Sequence, residues 1–445
     1  MPLAESALQC SPSKARLPRG VSTAQKTGWV LTFALVAVLA LGRAQPAGAG
    51  TQTLTFQSQE ITVAGHGVAT AFTRVDSPML DGYVVGMTAD VVDAAGKVQG
   101  DREIMLHHIV FIRWGEADYT CPGGQIQRFY APGEERATLS LPPGFGLAHR
   151  AGATWGISYM LMNHFPKKLR GFIRYQVRYV TGEELIPVTP VWLSINRCID
   201  PKFDVPGTGP KRSTYTKTED FVMRDSGAFV GVGGHIHGGG IRAELRNVTC
   251  GTKPFTSLPT WSKHVPLKPV LHEPGPAKMS SFVSADGIPV AAGERLRIAA
   301  VYDNDRPHTR AMGGMILYFA RRPVGSCAPT PPLEVDLGQP SLPPPFSMPL
   351  PRKPRGPLHR NIGGTWVGDY RFGHERLSLG RGANFAWRFI GAVDHDVTLV
   401  SGPVGFSSPT TKRGTFRYRF TRPGTYSLMC SVHPTRMTQS ITVRR

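Results

Sequence analysis

The residues with the clearest chemical potential lie close together near the end of the chain. Cys430, His433 and Met437 bring a thiol, an imidazole and a thioether within eight residues. A set of two histidines, one cysteine and a weak axial methionine holds a single copper ion in electron-transfer proteins. His395, in the strand-like stretch 393–399, is the candidate for the second imidazole. We therefore predict a type 1 copper site formed by His395, Cys430, His433 and Met437.

The segments that contain these residues predict strands. Residues 415–420 alternate apolar and polar side chains, 422–425 have the composition of a turn, and 426–429 lead into Cys430. The arrangement resembles the cupredoxins of the plastocyanin and amicyanin type over roughly residues 361–445, which also place one histidine early and Cys-x-x-His…Met near the end. The resemblance implies a Greek-key β-sandwich that transfers electrons. The alternative is a buried cysteine with an unrelated histidine and methionine nearby.

A second group of candidate ligands begins with two adjacent histidines, His107 and His108, in the predicted strand 104–112. Neighbouring residues of a flat strand point to opposite faces. The pair can therefore share a metal only where the strand is twisted or bulged, or where different ring nitrogens are used. By itself such a pair is more often structural. His164, at the end of another predicted strand, supplies a third imidazole and favours a metal site.

A glycine-rich stretch, residues 231–240, holds the pattern His235-x-His237. On a strand this spacing puts both imidazoles on one face, close enough to share a metal, and the flanking glycines let the backbone bend. Met312 and Met315 lie downstream and offer a thioether. Two histidines with a methionine suit Cu(I). The alternatives are a zinc site or a plain glycine-rich loop.

The order of these groups along the chain resembles that of the copper type II, ascorbate-dependent monooxygenases, the family of the peptidylglycine α-hydroxylating and dopamine β-monooxygenases. The resemblance covers about residues 53–322. It implies two jelly-roll-like β-sandwiches, each with one copper, on either side of a solvent-filled cleft. The electron-transfer copper would then be held by His107, His108 and His164. The catalytic copper, where O₂ is reduced, would be held by His235, His237 and Met312, with Met315 as the rival of Met312.

One departure from that family bears on the substrate. Members that hydroxylate peptides have an arginine two residues before the His-x-His motif, which grips the substrate carboxylate. This chain has Gly233 at that position. A glycine-extended peptide is therefore not the expected substrate, and the substrate stays open as a small molecule or a peptide.

These motifs together predict a secreted monooxygenase that hydroxylates a C–H bond with O₂. It would use one type 1 copper and two mononuclear type 2-like coppers, and the C-terminal domain would relay electrons from a donor such as ascorbate or a redox protein. Two alternatives stay open. One is a non-catalytic extracytoplasmic copper-binding or electron-transfer protein. The other is a pair of zinc-stabilised sandwiches that bind a polymer such as a cell-wall glycan.

The chain as a whole predicts an all-β protein of several domains. Glycine (50) and proline (39) are abundant among the 445 residues, and long helical periodicity is absent. The Pro-rich stretch predicts a semi-rigid, extended tether that would let the last domain either dock near the cleft or swing away from it. The predicted divisions are a signal peptide (1–49), an N-terminal copper sandwich (50–205), a second copper sandwich (206–325), the Pro-rich linker (326–360) and a Greek-key cupredoxin domain (361–445).

The first 49 residues have the pattern of an export signal. Basic residues precede an apolar run at 29–41, and small residues follow at 47–49. The run is shorter than the ~20 residues of a membrane span, so we predict a secreted or periplasmic protein without a membrane span beyond this segment. Disulfides persist outside the cytoplasm. The four cysteines that are neither in the signal nor copper ligands allow three pairings, of which we favour Cys121–Cys198 and Cys250–Cys327.

The formal net charge of +20 is spread over the chain without a dense basic run interleaved with aromatic residues, which argues against nucleic-acid binding. The chain also lacks a nucleophile elbow, a phosphate loop and a carboxylate pair with meaningful spacing. The remaining histidines, His272 and His308 among them, have no partner at a ligand spacing. We interpret them as ordinary loop or strand-edge residues.

Overall fold

The computed structural model describes residues 50–100, 103–198, 200–262, 269–344 and 346–445. The described residues form strands and connecting turns without a helix, so the predicted all-β class is confirmed. No helix long and apolar enough to cross a membrane is found within these ranges. The predicted signal peptide lies outside the described residues.

The first third of the described chain folds into eleven strands. They are β1 (Gly50–Gln57), β2 (Ile61–Val63), β3 (Val68–Val75), β4 (Gly82–Val92), β5 (Ile104–Trp114), β6 (Ile126–Tyr130), β7 (Leu139–Ser140), β8 (Phe145–His149), β9 (Trp155–Asn163), β10 (Leu169–Thr181) and β11 (Ile186–Ser194).

The middle part adds eleven more. They are β12 (Phe203–Val205), β13 (Thr214–Val222), β14 (Gly227–Ile236), β15 (Gly240–Asn247), β16 (Thr252–Ser257), β17 (Pro259–Thr260), β18 (Lys278–Met279), β19 (Ser281–Val290), β20 (Arg295–Asp303), β21 (His308–Ala311) and β22 (Gly313–Arg321).

The last part contains ten strands. They are β23 (Val335–Asp336), β24 (Leu358–Arg360), β25 (Gly364–Gly368), β26 (Arg371–Phe372), β27 (Arg376–Gly380), β28 (Asn384–His395), β29 (Thr398–Ser401), β30 (Thr411–Arg419), β31 (Gly424–Met429) and β32 (Thr438–Arg444).

One long sheet runs through the first two parts of the chain in the order β1-β10-β4-β8-β11-β22-β14-β19-β23. Its N-terminal half faces the sheet β3-β9-β5-β6, and its other half faces the sheet β13-β20-β15-β16. The two halves join where β11 pairs with β22 in antiparallel register. The predicted sandwiches therefore share a sheet, and the boundary at residue 205 stays a prediction.

Each pair of facing sheets encloses its own apolar core. In the first core, the alternation of β10 turns Tyr175 inward, where its ring packs 5.1 Å from that of Phe111 on β5. In the second, Phe255 and Phe282 pack with ring centroids 5.1 Å apart. Burial of one such phenylalanine stabilises the fold by roughly 1.5–3 kcal/mol. The packing of these strands therefore fixes the positions of the histidines that they carry.

A third sandwich contains the C-terminal candidate ligands. Its sheets are β24-β27-β32-β31-β29 and β26-β25-β28-β30. Between them Trp387 is fully buried, and its Nε1–H donates a hydrogen bond of 2.8 Å to Oε1 of Gln439. This core also contains Cys430 and Met437.

Two disulfides join distant segments of the first two sandwiches. Cys121 pairs with Cys198 and Cys250 with Cys327, each across 77 residues, so the favoured pairing is confirmed. Closing loops of this length restricts the unfolded chain and stabilises the fold by roughly 4 kcal/mol per bridge in the chain-entropy model. The disulfides are compatible with a location outside the cytoplasm.

The Pro-rich segment is held against the folded parts rather than free. Its strand β23 pairs with β19, and Lys278 forms an ion pair of 2.6 Å with Asp336. Near its other end, Arg352 makes two hydrogen bonds to the carboxylate of Glu375 in the third sandwich. Strand pairing and ion pairs thus hold this segment at both ends, which corresponds to the docked one of the two arrangements that the sequence allows.

Candidate metal centres

The C-terminal candidate ligands converge at one end of the third sandwich. His395 is the last residue of β28, and Cys430 follows β31. The loop between β31 and β32 closes on itself: the N–H of Cys430 donates to the carbonyl of Met437, and the N–H of Met437 donates to that of His433. This turn brings His433 back over Cys430, which is why three ligands fit within eight residues.

The nitrogen and sulfur atoms of these residues face one another. Nδ1 of His395 lies 4.0 Å from Sγ of Cys430, and Nδ1 of His433 lies 3.7 Å from the same sulfur. All three ligand atoms lie within 4.8 Å of one another. Cys430, His395 and Met437 are fully buried. His433 is half-buried. Two imidazoles and a cysteine sulfur, with Met437 buried in the same core, are the donor types that suit a blue-copper ion.

Neighbouring groups prepare this site for a metal. Oδ1 of Asp369 lies 3.3 Å from Nε2 of His395, where it can accept a hydrogen bond from Nε2–H, and this tautomer leaves Nδ1 available as a ligand. Burial, with a contribution from His395, lowers the pKa of His433 to about 4. Burial, reinforced by the Asp396 carboxylate, raises the pKa of the Cys430 thiol to about 12. The imidazole is therefore neutral at pH 7, and a metal must displace the thiol proton.

Upstream, a bulge in β5 lets the two adjacent histidines meet. The pairing of β5 with β9 shifts register between Leu106 and His108. His107 and His108 consequently turn toward each other, with 3.3 Å between their Nδ1 atoms. The bulge is the local distortion that two adjacent histidines of a strand need in order to share a metal.

The His-x-His pair lies at the end of β14, and its rings are oriented by hydrogen bonds. The ring centroids of His235 and His237 are 5.1 Å apart. Nδ1 of His235 lies 3.1 Å from Oε1 of Glu135, and Nδ1 of His237 lies 2.9 Å from the carbonyl oxygen of Arg310. Both acceptors favour a proton on Nδ1, so both Nε2 atoms are available to a metal.

The strand register distinguishes the two candidate methionines. Gly314 of β22 pairs with His235, and Gly313 pairs with Ile236. Side chains alternate between faces, so Met315 lies on the face opposite His235, and it is buried in the apolar core there. Met312 lies between β21 and β22, directly before the residue that pairs with Ile236.

A tyrosine holds Met312 beside the histidine pair. The Tyr302 hydroxyl accepts a hydrogen bond of 2.8 Å from the N–H of His237 and donates one of 2.5 Å to the carbonyl of Met312. The geometry therefore favours Met312 over Met315 as the third ligand of this set.

The two upstream sets are in contact with each other. The ring of His107 lies 5.4 Å from that of His237 and 5.6 Å from that of His272, and His164 lies 5.8 Å from His272. The resemblance implied two sets separated by a solvent-filled cleft. The continuous sheet and the loops packed across it instead bring the sets into one group, which we call the histidine cluster (His107, His108, His164, His235, His237 and His272).

Burial keeps most of this cluster neutral. It lowers the pKa of His108 and of His164 to about 4, and with the neighbouring histidines it holds the pKa of His107 and His237 well below the ordinary value. His235 differs: burial lowers its pKa, but the Glu135 carboxylate more than offsets this and raises it overall. Neutral imidazoles are the form that binds metals.

The histidine cluster is a looser ligand set than the C-terminal one. Within the described ranges, no three of its histidines have ligand atoms that all lie within 4.8 Å of one another, as those of the C-terminal site do. Four of its imidazoles, those of His107, His108, His164 and His237, nevertheless have lowered pKa values, and its rings contact one another in pairs. The donor chemistry therefore fits copper at these pairs.

Sequence reasoning missed His272 and the two glutamates of the site. Oε1 of Glu134 lies 3.2 Å from Nε2 of His272, and Oε2 of Glu134 accepts a hydrogen bond of 2.8 Å from the N–H of Gly275. The loop that contains His272 reaches the cluster only through such tertiary contacts. The adjacent pair of acidic residues just after β6 was the only local signal.

His308, another of the histidines interpreted as ordinary, is structural. It is almost fully buried, and its Nδ1 lies 2.8 Å from Oε2 of Glu273. Gly239, with φ of 79°, lies so close that a Cβ there would approach within 2.0 Å of the His308 ring. The glycine-rich stretch therefore accommodates this buried ion pair behind the His-x-His motif.

Comparisons with known proteins find cupredoxin structures. No protein-family model matches the chain, and no curated protein matches it. A purple cupredoxin from Nitrosopumilus maritimus is 21% identical, covers 19% of this chain and 100% of its own, and has a TM-score of 0.16. An oxidized amicyanin mutant is 22% identical over 18% of this chain and 80% of its own, with a TM-score of 0.17. Assignment of the C-terminal site therefore rests on the ligand geometry above.

Proposed function

We propose that this protein is an extracytoplasmic copper-dependent monooxygenase with a fused electron-transfer domain. The observation that carries the proposal is the combination of a blue-copper ligand set and a second, buried group of oriented, mostly neutral imidazoles within one compact unit. Hydroxylation with O₂ requires a site that transfers single electrons and a second site, here rich in histidines, at which copper can reduce O₂.

The ligands divide the work between two regions. His395, Cys430, His433 and Met437 would hold one copper, and the histidine cluster with Met312 would hold two. Bound copper would supply one-electron transfer at the first region and reduction of O₂ at the second. In the overall reaction one oxygen atom enters a substrate C–H bond and the other leaves as water, with two electrons and two protons consumed.

The protein's own contribution is placement and orientation. His235 and His237 present Nε2 because Glu135 and the Arg310 carbonyl accept at Nδ1. Tyr302 fixes the backbone of Met312 beside His237. Substrate and reductant are an unidentified small molecule or peptide and a one-electron donor such as ascorbate or a redox protein. The peptide-hydroxylating enzymes that the chain resembles have an arginine at the position of Gly233, and that arginine binds the carboxylate of a peptide substrate.

One observation favours a second candidate, a copper protein that transfers electrons without catalysis. His107 and His237 lie in contact, so electrons could pass between their sets without a substrate bound between them. This candidate uses the same ligands and predicts copper uptake without consumption of O₂.

The test combines metal analysis with oxygen uptake. The mature protein is loaded with copper, its visible and electron-spin resonance spectra are recorded, and O₂ consumption is followed with ascorbate across a panel of candidate substrates. We expect about three coppers, one strongly blue and two pale, and substrate-dependent O₂ uptake that is lost in the His235→Ala variant. Three coppers without substrate-dependent uptake on any substrate would support the second candidate, and one blue copper alone would refute both upstream sites.

A further inference from the structure

The third sandwich is docked on the second beside the His-x-His pair. The N–H of Gly405 donates to the carbonyl of Pro206 at 2.9 Å, and the N–H of Ser407 donates to Oδ2 of Asp204 at 2.7 Å. Thr309 donates from its hydroxyl to the carbonyl of Leu399 at 2.8 Å. These bonds connect loops next to the C-terminal copper ligands with the strand that precedes Met312.

Asp396 links this interface to the C-terminal ligands. It follows His395 directly in the chain and is completely buried. Its carboxylate accepts hydrogen bonds from the N–H of Ser431 at 2.8 Å and from the Ser431 hydroxyl at 2.5 Å. Ser431 in turn follows Cys430. Asp396 is therefore one peptide bond from His395, and one hydrogen bond and one peptide bond from Cys430.

Arg310 completes the connection from the other side. Its Nη1 lies 3.4 Å from Oδ2 of Asp396, and its Nη2 donates to Oγ1 of Thr410 at 3.0 Å. Its backbone carbonyl is the group that accepts from Nδ1 of His237 at 2.9 Å. One residue thus bonds through its side chain to the C-terminal centre and through its main chain to the His-x-His pair.

We infer that electrons pass directly from the C-terminal copper centre to the site of His235, His237 and Met312 through Asp396 and Arg310. The inference rests on the proposed function. With copper held at both sets, one electron would leave the reduced ion at His395, Cys430 and His433 and would reduce the oxidised ion at His235 and His237. An external one-electron donor would then reduce the C-terminal ion again, and no bond or proton would change place in the transfer itself.

The contacts favour electron entry at the His235/His237/Met312 set over electron entry at the His107/His108/His164 set. Among the described residues, the hydrogen bonds and ion pairs from the third sandwich to the first two involve Asp204, Pro206, Thr309 and Arg310, and none involves His107, His108 or His164. Nε2 of His164 instead lies 3.5 Å from the sulfur of Met105 in the first sandwich. The proposed route therefore differs from one in which a copper at His107, His108 and His164 supplies every electron to the His235/His237/Met312 site.

The sharpest variant is Arg310→Gly. Arg310 has φ of 56°, a conformation that glycine adopts without strain, so the variant loses the guanidinium but keeps the carbonyl that holds His237. Arg212, which is exposed and has φ of 66°, provides the matched control Arg212→Gly. His164→Ala tests the competing entry. Copper content and the blue spectrum of each variant report whether its sites remain intact.

The measurement is the recovery of the blue absorption after a pulse of reducing radicals on the fully copper-loaded protein. A recovery rate that is independent of protein concentration is the internal transfer. We expect Arg310→Gly to slow it about tenfold, which corresponds to ~1.4 kcal/mol in the activation free energy, and Arg212→Gly to leave it unchanged. His164→Ala, which removes a ligand of the other set, should slow it by much less.

A second readout separates loss of the route from a change in driving force. Without the Arg310 charge, the Asp396 carboxylate stabilises the oxidised ion, so the reduction potential of the blue centre should fall. A lower potential favours outward transfer and would by itself speed recovery, so slowing identifies the route. Recovery of Arg310→Gly at the unaltered rate, or equal slowing by His164→Ala, overturns the route alone. An absence of internal recovery in the unaltered protein overturns both the route and the relay in the proposed function.

Discussion

The imidazoles of His107 and His237 lie 5.4 Å apart with their planes almost perpendicular, at 85°. They come from β5 and from the end of β14, which belong to different sandwiches. The contact joins two ligand pairs from distant parts of the chain, since His107 and His237 are 130 positions apart. Changes at one pair are therefore expected to reach the other.

We predict that His107→Ala weakens copper binding at both pairs. The substitution removes a ligand from the His107/His108 pair, and it also opens space beside His237. Copper titrations followed by spin resonance should give a loss of about 10–100-fold in affinity at each, the scale seen when groups that orient metal ligands are removed. His359→Ala, on an exposed edge of the third sandwich, serves as the control. A loss confined to one pair would show that the ring contact does not couple the sites.

Loading the C-terminal site should release a proton. Burial and the Asp396 carboxylate raise the pKa of Cys430 to about 12, whereas burial lowers the pKa of His433 to about 4. At pH 7 copper therefore displaces about one proton, from the thiol. Measured with a pH indicator during Cu(II) addition, the release should disappear in Cys430→Ser. Release of two or more protons at this site would mean that its imidazoles are charged before the metal binds.

The copper-free protein should lose stability as the pH falls from about 6.5 to about 4. Burial lowers the pKa of His108 and His164 to about 4 in the fold, against about 6.5 for an unfolded chain. Between these values the unfolded chain binds more protons, so its free energy falls relative to the fold. One pKa unit corresponds to ~1.4 kcal/mol.

Urea unfolding at pH 7 and pH 4.5 measures this loss. His235 and His308, whose pKa values are raised, oppose it, because they add stability below their unfolded pKa that is lost as the pH rises. The groups with lowered values are more numerous in the cluster, so the net effect is destabilisation in acid. His164→Gln should reduce the slope, and a protein that becomes more stable at pH 4.5 would contradict the prediction.

The parts of the molecule that sequence could predict are those whose signal is local. Cys430, His433 and Met437 are brought together by a single turn, and the alternation of β28 and β31 places His395 and Cys430 at the same end of a sandwich. The histidine pair at 235 and 237 needs only strand geometry. His272 and the Asp396–Arg310 bridge depend on how separate loops pack, and neither has a spacing or composition that distinguishes it. The contacts that hold the linker could not be predicted for the same reason, since Arg352 and Glu375 meet only in the folded chain.

His272 is expected to support copper binding although no motif includes it. Its ring lies 5.6 Å from that of His107 and 5.8 Å from that of His164, and Glu134 orients it. His272→Ala should lower copper affinity at the His107/His108/His164 set by about tenfold or more, while leaving the blue spectrum of the C-terminal centre unchanged. Equilibrium dialysis against a copper chelator measures the change. If the variant bound copper with the affinity of the unaltered protein, His272 would be an ordinary loop residue, as its sequence context predicts.

Docking of the third sandwich should depend on the absence of a side chain at Gly405. A Cβ there would lie 2.3 Å from the carbonyl oxygen of Val205 and 3.2 Å from Cβ of Pro307. The first distance is shorter than atoms tolerate, so Gly405→Val must push the sandwich away from Asp204 and Arg310. The copper ligands themselves are untouched, and the blue spectrum should persist.

Small-angle scattering and protease cleavage of the linker report this separation. We expect Gly405→Val to have a larger radius of gyration, faster cleavage between residues 326 and 360, and internal electron transfer slowed about tenfold or more, because the network through Arg310 is broken. Gly380→Val is the matched control, since a Cβ at Gly380 has no heavy atom within 4 Å and the residue lies in the same sandwich. If Gly405→Val and Gly380→Val gave the same scattering profile and the same transfer rate, the docked arrangement would not be what connects the two centres.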